Sequence, residues 1–156
     1  MKHSTMFEDY TASLGSKLEM LLKCQPLAEV ELAVYAEKAG LYLFSEEDQH
    51  LYVGRTDDLK ERIQTQRRLG SATNQAAFAY AIAKKELGIA NVPYSTKNPT
   101  HPKNVKGFEA AFRRAKERVR AMTVRVVKES DPVGQALLEI YIHLRLQTPF
   151  NNFSNH

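Results

Sequence analysis

Apolar positions change their period several times along the chain, and each change marks an element. Leu14, Leu18, Leu21 and Leu22 recur at helical spacing, which predicts an amphipathic helix over residues 5–24 that Pro26 ends. An acidic lead-in runs to Gly40. Two apolar-aromatic runs, 41–45 and 50–55, then flank Glu46-Glu47-Asp48 and predict a β-hairpin. Asp57 is placed to cap a helix through about Arg68, closed by Gly70. An alanine-rich stretch predicts a helix over roughly 73–87, ending at Gly88, and residues 91–104 hold three prolines and little core material, as a surface loop does. Phe108, Phe112, Ala115 and Val119 give one apolar stripe to a basic helix over roughly 106–120. "MTVRVVKE" alternates like a strand, and Asp131 with Pro132 opens a last long helix.

The hairpin pattern also sets a register. A three-residue loop at Glu46-Glu47-Asp48 places Tyr42 opposite Tyr52, Leu43 opposite Leu51, Leu41 opposite Val53 and Phe44 opposite His50. One face is then aliphatic and the other aromatic or histidine, so the aliphatic face turns to the core. The two phenols share the opposite face beside Gly54, which has no side chain to obstruct a close approach. Cross-strand tyrosines are also ordinary sheet packing. What adds chemistry is Arg55 directly after the second strand and Arg62 on the next helix. By helical geometry Arg62 lies about 60° from Leu59 and about 100° from Ile63, at the border of the packed face. An arginine there, beside two phenols, makes an anion-binding corner.

The last helix carries a second anomaly. Leu137, Ile140, Tyr141 and Leu144 form one apolar stripe and Leu138, Ile142 and Leu146 another, while only Glu139, His143 and Arg145 interrupt residues 136–146. A carboxylate in such a helix is costly to bury unless it is paired or binds metal. Glu139 is therefore either a surface residue with a chance neighbour at His143 or an oxygen ligand for a hard cation such as Mg²⁺ or Mn²⁺.

Composition narrows the class. At 156 residues with 43% apolar and 26% charged positions, the chain suits one soluble globular domain. The single cysteine, Cys24, leaves no internal disulfide and no cysteine metal cluster, and the N-terminus lacks a continuous apolar leader. The expected location is cytoplasmic. Net charge is +4, unevenly spread: residues 1–50 hold four Lys/Arg against nine Asp/Glu, whereas 101–128 hold nine basic residues against Glu109 and Glu117. That asymmetry suggests an anionic partner, nucleic acid being the commonest. Arg113, Arg114, Lys116 and Arg118, with the loop before their helix, are the candidate contacts; a solvated basic face is the plainer reading.

The residues around the hairpin resemble those of the GIY-YIG endonuclease family. Gly40-Leu41-Tyr42 stands for Gly-Ile-Tyr and Tyr52-Val53-Gly54 for Tyr-Ile-Gly. Arg55, Arg62, the strand before the last helix, Glu139 and Asn151 in "TPFNN" follow in order. The likeness covers about residues 38–69 and 121–152. It implies an α+β fold, a three-stranded antiparallel sheet flanked by helices. Residues 1–35 would be an N-terminal helical extension packed on a nuclease domain of 36–156, with a helical insertion at about 70–107.

The resemblance implies metal-dependent hydrolysis of a DNA phosphodiester, RNA being a further possible substrate. Glu139 would hold one Mg²⁺ or Mn²⁺. Tyr42 would orient or deprotonate the attacking water, and Tyr52 would hydrogen-bond to the water or phosphate. Arg55 would favour a phenolate, Arg62 would clamp the phosphate, and Asn151, rather than Asn152, would orient Glu139 or the phosphate. Some relatives carry a histidine where this chain has Gln66; His50 and His143 are the candidates for supporting the site through its neighbours. The rival expectation is a non-catalytic nucleic-acid-binding module that keeps the fold. The acidic N-terminal segment is a candidate surface for a protein partner.

Overall fold

The computed structural model describes residues 2–89 and 104–154. Its helices are α1 (Lys2–Ala12), α2 (Leu14–Lys23), α3 (Leu59–Arg67), α4 (Ala77–Glu86), α5 (Phe108–Ala121) and α6 (Pro132–Leu146), with a 3-10 helix at Glu29–Tyr35. Strands β1 (Gly40–Glu46), β2 (Gln49–Thr56) and β3 (Thr123–Lys128) form one antiparallel sheet in the order β2-β1-β3. This is the expected α+β class. The chain divides into two compact units, residues 1–62 with 123–151 and residues 63–122 with 152–156. Most of the expected loop at 91–104 lies outside the described residues.

The first unit is built on the hairpin, and its register differs from the sequence expectation. The strands turn at Glu47-Asp48, with Glu46 paired to Gln49 and Glu47 at φ 55°. Leu51 is then an extra residue in β2, so that Phe44 meets Tyr52, Leu43 meets Val53, Tyr42 meets Gly54 and Leu41 meets Arg55. The shift from the expected pairing is two residues. Side chains alternate with period two, so a shift of two keeps the facing of Leu41 to Phe44 and of Tyr52 to Arg55. At the turn the shift is one, and His50 pairs with Ser45 instead of the expected Phe44, off the aromatic face. Leu41, Leu43 and Val53 pack with Val127 of β3, Leu14, Leu18 and Leu21 of α2, and Leu138 and Ile142 of α6. Gly40 permits this arrangement, since a Cβ there would stand 2.2 Å from the Val127 carbonyl oxygen.

Caps and breaks follow local chemistry. The expected helix over 5–24 is two helices parted at Ser13. Thr11, Ser13 and Ser16 each turn a hydroxyl onto a backbone carbonyl three residues back, the competition that weakens helices at such residues. Leu22 is exposed rather than part of the core stripe. The cap of α3 is Asp58, not Asp57: its Oδ1 accepts from the Glu61 N–H at 3.1 Å, while the Asp58 N–H is held by the Thr56 hydroxyl. Asp131 caps α6 as expected, accepting from the Gly134 N–H at 2.7 Å, with Pro132 in the first turn.

The second unit joins the end of α3 to α4 and α5. Tyr80 meets the edges of Phe108 and Phe112 at 6.0 and 6.4 Å between ring centres, and the two phenylalanines stack at 5.5 Å. Buried Gln66 accepts the Phe78 N–H at 3.2 Å. Within the expected insertion at 70–107, α4 packs on the basic helix α5 and shares its core.

Candidate active site

Tyr42, Tyr52, Arg55, Arg62, Glu139 and Asn151 all belong to the first unit. Strand parity puts the phenols on the face opposite the leucines. Their ring centres lie 6.3 Å apart, and Phe44 stands edge-on to Tyr42 at 5.7 Å. Gly54 sits beneath: a Cβ there would come within 2.3 Å of both Cζ and the hydroxyl of Tyr42. The tyrosine ring therefore occupies the space that any other residue at 54 would fill. Tyr42 is only 1% exposed, whereas Tyr52 is half-buried.

Neighbouring groups act on the Tyr52 phenol. Burial, a hydrogen bond with Tyr42 and the Glu139 carboxylate push the Tyr52 hydroxyl far above the ordinary phenol range, and the Arg62 guanidinium only partly opposes them. These influences hold Tyr52 in its protonated form.

Glu139 lies between burial and a counter-charge. Burial raises its carboxyl pKa, and Arg55 works against that rise, with Nε 3.5 Å from Oε1. Arg55 lies opposite Leu41, on the aliphatic side of the hairpin. It was expected to favour a phenolate; its observed ionic partner is instead the glutamate.

Asn151 has a different place from the one expected. Its Oδ1 accepts the Val53 N–H at 2.9 Å and its Nδ2 donates to the Val53 carbonyl at 2.7 Å. The Phe150 N–H reaches the Leu51 carbonyl at 3.2 Å. Together these bonds cover the outer edge of β2 on either side of Tyr52, so Asn151 fixes the strand that carries the phenol. The two histidines are engaged elsewhere. His50 shares a 2.7 Å hydrogen bond with buried Ser45 near the hairpin turn, and burial, with Arg125, lowers its pKa. His143 Nδ1 is 2.8 Å from the Thr148 hydroxyl, beyond the end of α6.

No family model, curated protein or solved structure matches this chain. Functional inference therefore rests on its own residues and their geometry.

Among the described residues no three or more His, Cys, Asp or Glu side chains are grouped to hold a metal. Glu139 alone is a donor set for a hard cation that keeps most of its waters, and unsuited to a closed zinc cage. On α5, Arg113, Arg114 and Arg118 are exposed, with Arg113 paired to Glu117 at 3.4 Å and Arg114 to Glu86. Lys116 departs from the expected contact surface. It is buried over the Phe112 ring at 4.3 Å and donates to the Ser71 carbonyl at 3.1 Å, and burial lowers its pKa.

The structure adds a cleft of about 340 Å³ lined by Met6, Tyr10, Leu14, Lys17, Glu129 and Gly134, among others. Lys17 and Glu129 form an ion pair across it. No sequence signal links two residues 112 positions apart.

Proposed function

We propose that this chain is a divalent-metal-dependent endonuclease that hydrolyses DNA phosphodiesters in the manner of the GIY-YIG family. The observation that carries the reading is the Tyr42 phenol seated over Gly54 with the Tyr52 ring 6.3 Å from it, and Arg62 and Glu139 both acting electrostatically on Tyr52. Glu139 is the residue to hold Mg²⁺ or Mn²⁺. Such a cation, when bound, polarises the phosphate and stabilises the leaving oxygen. Tyr52 donates a hydrogen bond to the phosphate or the attacking water. Tyr42 is the candidate to orient or deprotonate the attacking water. Arg62 offsets negative charge that develops on the phosphoryl oxygens. Arg55 opposes the rise that burial gives the glutamate's pKa. A DNA substrate accords with the expected cytoplasmic location, and the exposed arginines of α5 with its phosphates.

Purified protein should nick supercoiled plasmid when Mg²⁺ or Mn²⁺ is added, and Tyr42→Phe, Arg62→Ala and Glu139→Ala should each lower the rate by about 10²-fold or more. Cleavage by Glu139→Ala at the parent rate overturns the assignment.

The second reading, a binding module without catalysis, has two observations in its favour. Tyr42 is closed off from solvent, and Gln66 is committed to the Phe78 backbone. DNA binding that weakens steeply with salt, together with no metal-dependent cleavage, would select it.

A further inference from the structure

The sheet buries only one side of α6. Leu138 and Ile142 are inside, while Val133, Ile140 and Leu144 are 52%, 43% and 66% exposed. With Leu137, half-buried and packed in part against the core, these residues are spaced by four, three and four, and by helical geometry they occupy a strip about 60° wide. That is the narrow seam of a two-helix coiled coil, not the broad face of a helix that covers a sheet. Its flanking positions are Gly134, Ala136, Tyr141 and His143, so no carboxylate, lysine or arginine borders the seam.

We propose that this seam pairs with α6 of a second copy of the chain, antiparallel and about a two-fold axis. The ends of the helix argue for that occupant and that direction. Asp131 stands at the N-terminus, with Asp9 beside it at the cleft, where Glu129 is paired with Lys17, and Arg145, hydrogen-bonded to the Tyr141 hydroxyl, stands in the last turn. Antiparallel pairing brings each Arg145 to the acidic end of the other helix and opposes the two helix dipoles; parallel pairing brings like ends together. The apolar shapes agree. The most exposed seam residue, Leu144, lies at one end of α6, and the cleft beside Gly134 lies at the other. A two-fold axis offers each Leu144 to the cleft of the other copy, where Met6 and Leu14 extend the apolar contact. Pairing of this kind leaves the tyrosine face uncovered, and it is independent of the endonuclease reading.

Sedimentation equilibrium of the full chain tests the pairing. The expected result is a mass twice that of one chain, with a dissociation constant of about 10 μM or tighter. Ile140→Asp with Leu144→Asp should give a monomer whose far-UV circular dichroism is unchanged, and Leu144→Ala should weaken the dimer by about tenfold or more. In a Cys24→Ser background, Val133→Cys protein mixed with Leu144→Cys protein should form a disulfide-linked pair on oxidation, whereas neither should link to itself. A wild-type monomer at about 100 μM, a dimer that survives the double aspartate variant, or linkage of Leu144→Cys protein to itself would each overturn the proposal.

Discussion

Replacing Gly54 with alanine puts a methyl group where Tyr42 already is. The new Cβ would lie 2.3 Å from Tyr42 Cζ and its hydroxyl, and 2.9 Å from Cε1. Carbon atoms in van der Waals contact stand about 3.5–4.0 Å apart, so the ring must move by more than 1 Å or the strands must part. Neither is easy: Tyr42 is buried, flanked by Phe44 and Tyr52, and its strand is held on both sides by β2 and β3. Overpacking of that kind costs about 1–3 kcal/mol. With a urea m-value of about 2 kcal/mol/M, Gly54→Ala should lower the unfolding midpoint by about 0.5–1.5 M. The decisive measurement is the cycle with Tyr42→Ala. That change alone destabilises by about 3–5 kcal/mol by leaving a cavity. In the Tyr42→Ala background, however, the methyl at 54 meets empty space, so its added cost should fall to near zero. The cycle read by circular dichroism should therefore show a coupling of about 1–3 kcal/mol. If Gly54→Ala costs the same with and without the Tyr42 ring, the glycine is not there to seat the phenol, and the geometry proposed for the site fails.

Three further outcomes follow from the same structure. Asn151→Ala removes both bonds to Val53 and should cost about 1–2 kcal/mol, with the Val53 amide exchanging markedly faster by NMR. Glu139 has a folded pKa above its unfolded value, so stability is greatest with the carboxyl protonated and falls as pH rises from the ordinary glutamate range through the folded pKa. Wild type should lose stability against Glu139→Gln across that window, and Arg55→Ala should move the Glu139 titration, followed by carbon NMR, to higher pH. On α5, replacing Arg113, Arg114 and Arg118 together should weaken DNA binding and shallow its salt slope by about three. Lys116→Met should leave that slope unchanged, because the buried ammonium serves Ser71.

The facing of the hairpin was legible because it depends on parity alone. Alternating leucines and aromatics specify which residues share a side. The shorter turn and the extra residue at Leu51 each shift the pairing by one and together restore that parity beyond the bulge, while His50, between them, changes partner. The partner of each residue was not legible. Glu47 at positive φ and the extra residue at Leu51 are backbone events with no hydrophobic signature, and together they turned an expected Tyr42–Tyr52 pairing into Tyr42 over Gly54. Charged groups were harder still. Arg55 could be placed next to the second strand, but only the packing of α6 shows that its ionic partner is Glu139. Asn151 was singled out, yet its two bonds to Val53 join residues 98 positions apart and compose a strand edge that no local pattern encodes.

Helix α6 shows how one segment can carry two signals that sequence cannot rank. Its two apolar stripes are of similar strength on paper. A helix resting on an open sheet can bury only one of them, and the sheet takes the stripe that completes the core of Leu41, Leu43 and Val53. Of the other, Leu137 and Tyr141 pack partly against that core, while Ile140 and Leu144 remain outside. An apolar strip on a helix surface is stable in water only at a cost in solubility, which grows with its length and is relieved by pairing. The charge along α6 makes antiparallel self-pairing the arrangement without like ends in contact. Glu139 projects from the flank between these two stripes, about 100° from both Leu138 and Ile140 by helical geometry. The same helix can thus hold a carboxylate against Arg55 on one flank while its outward seam is covered, and pairing would stiffen the element on which the proposed metal ligand stands.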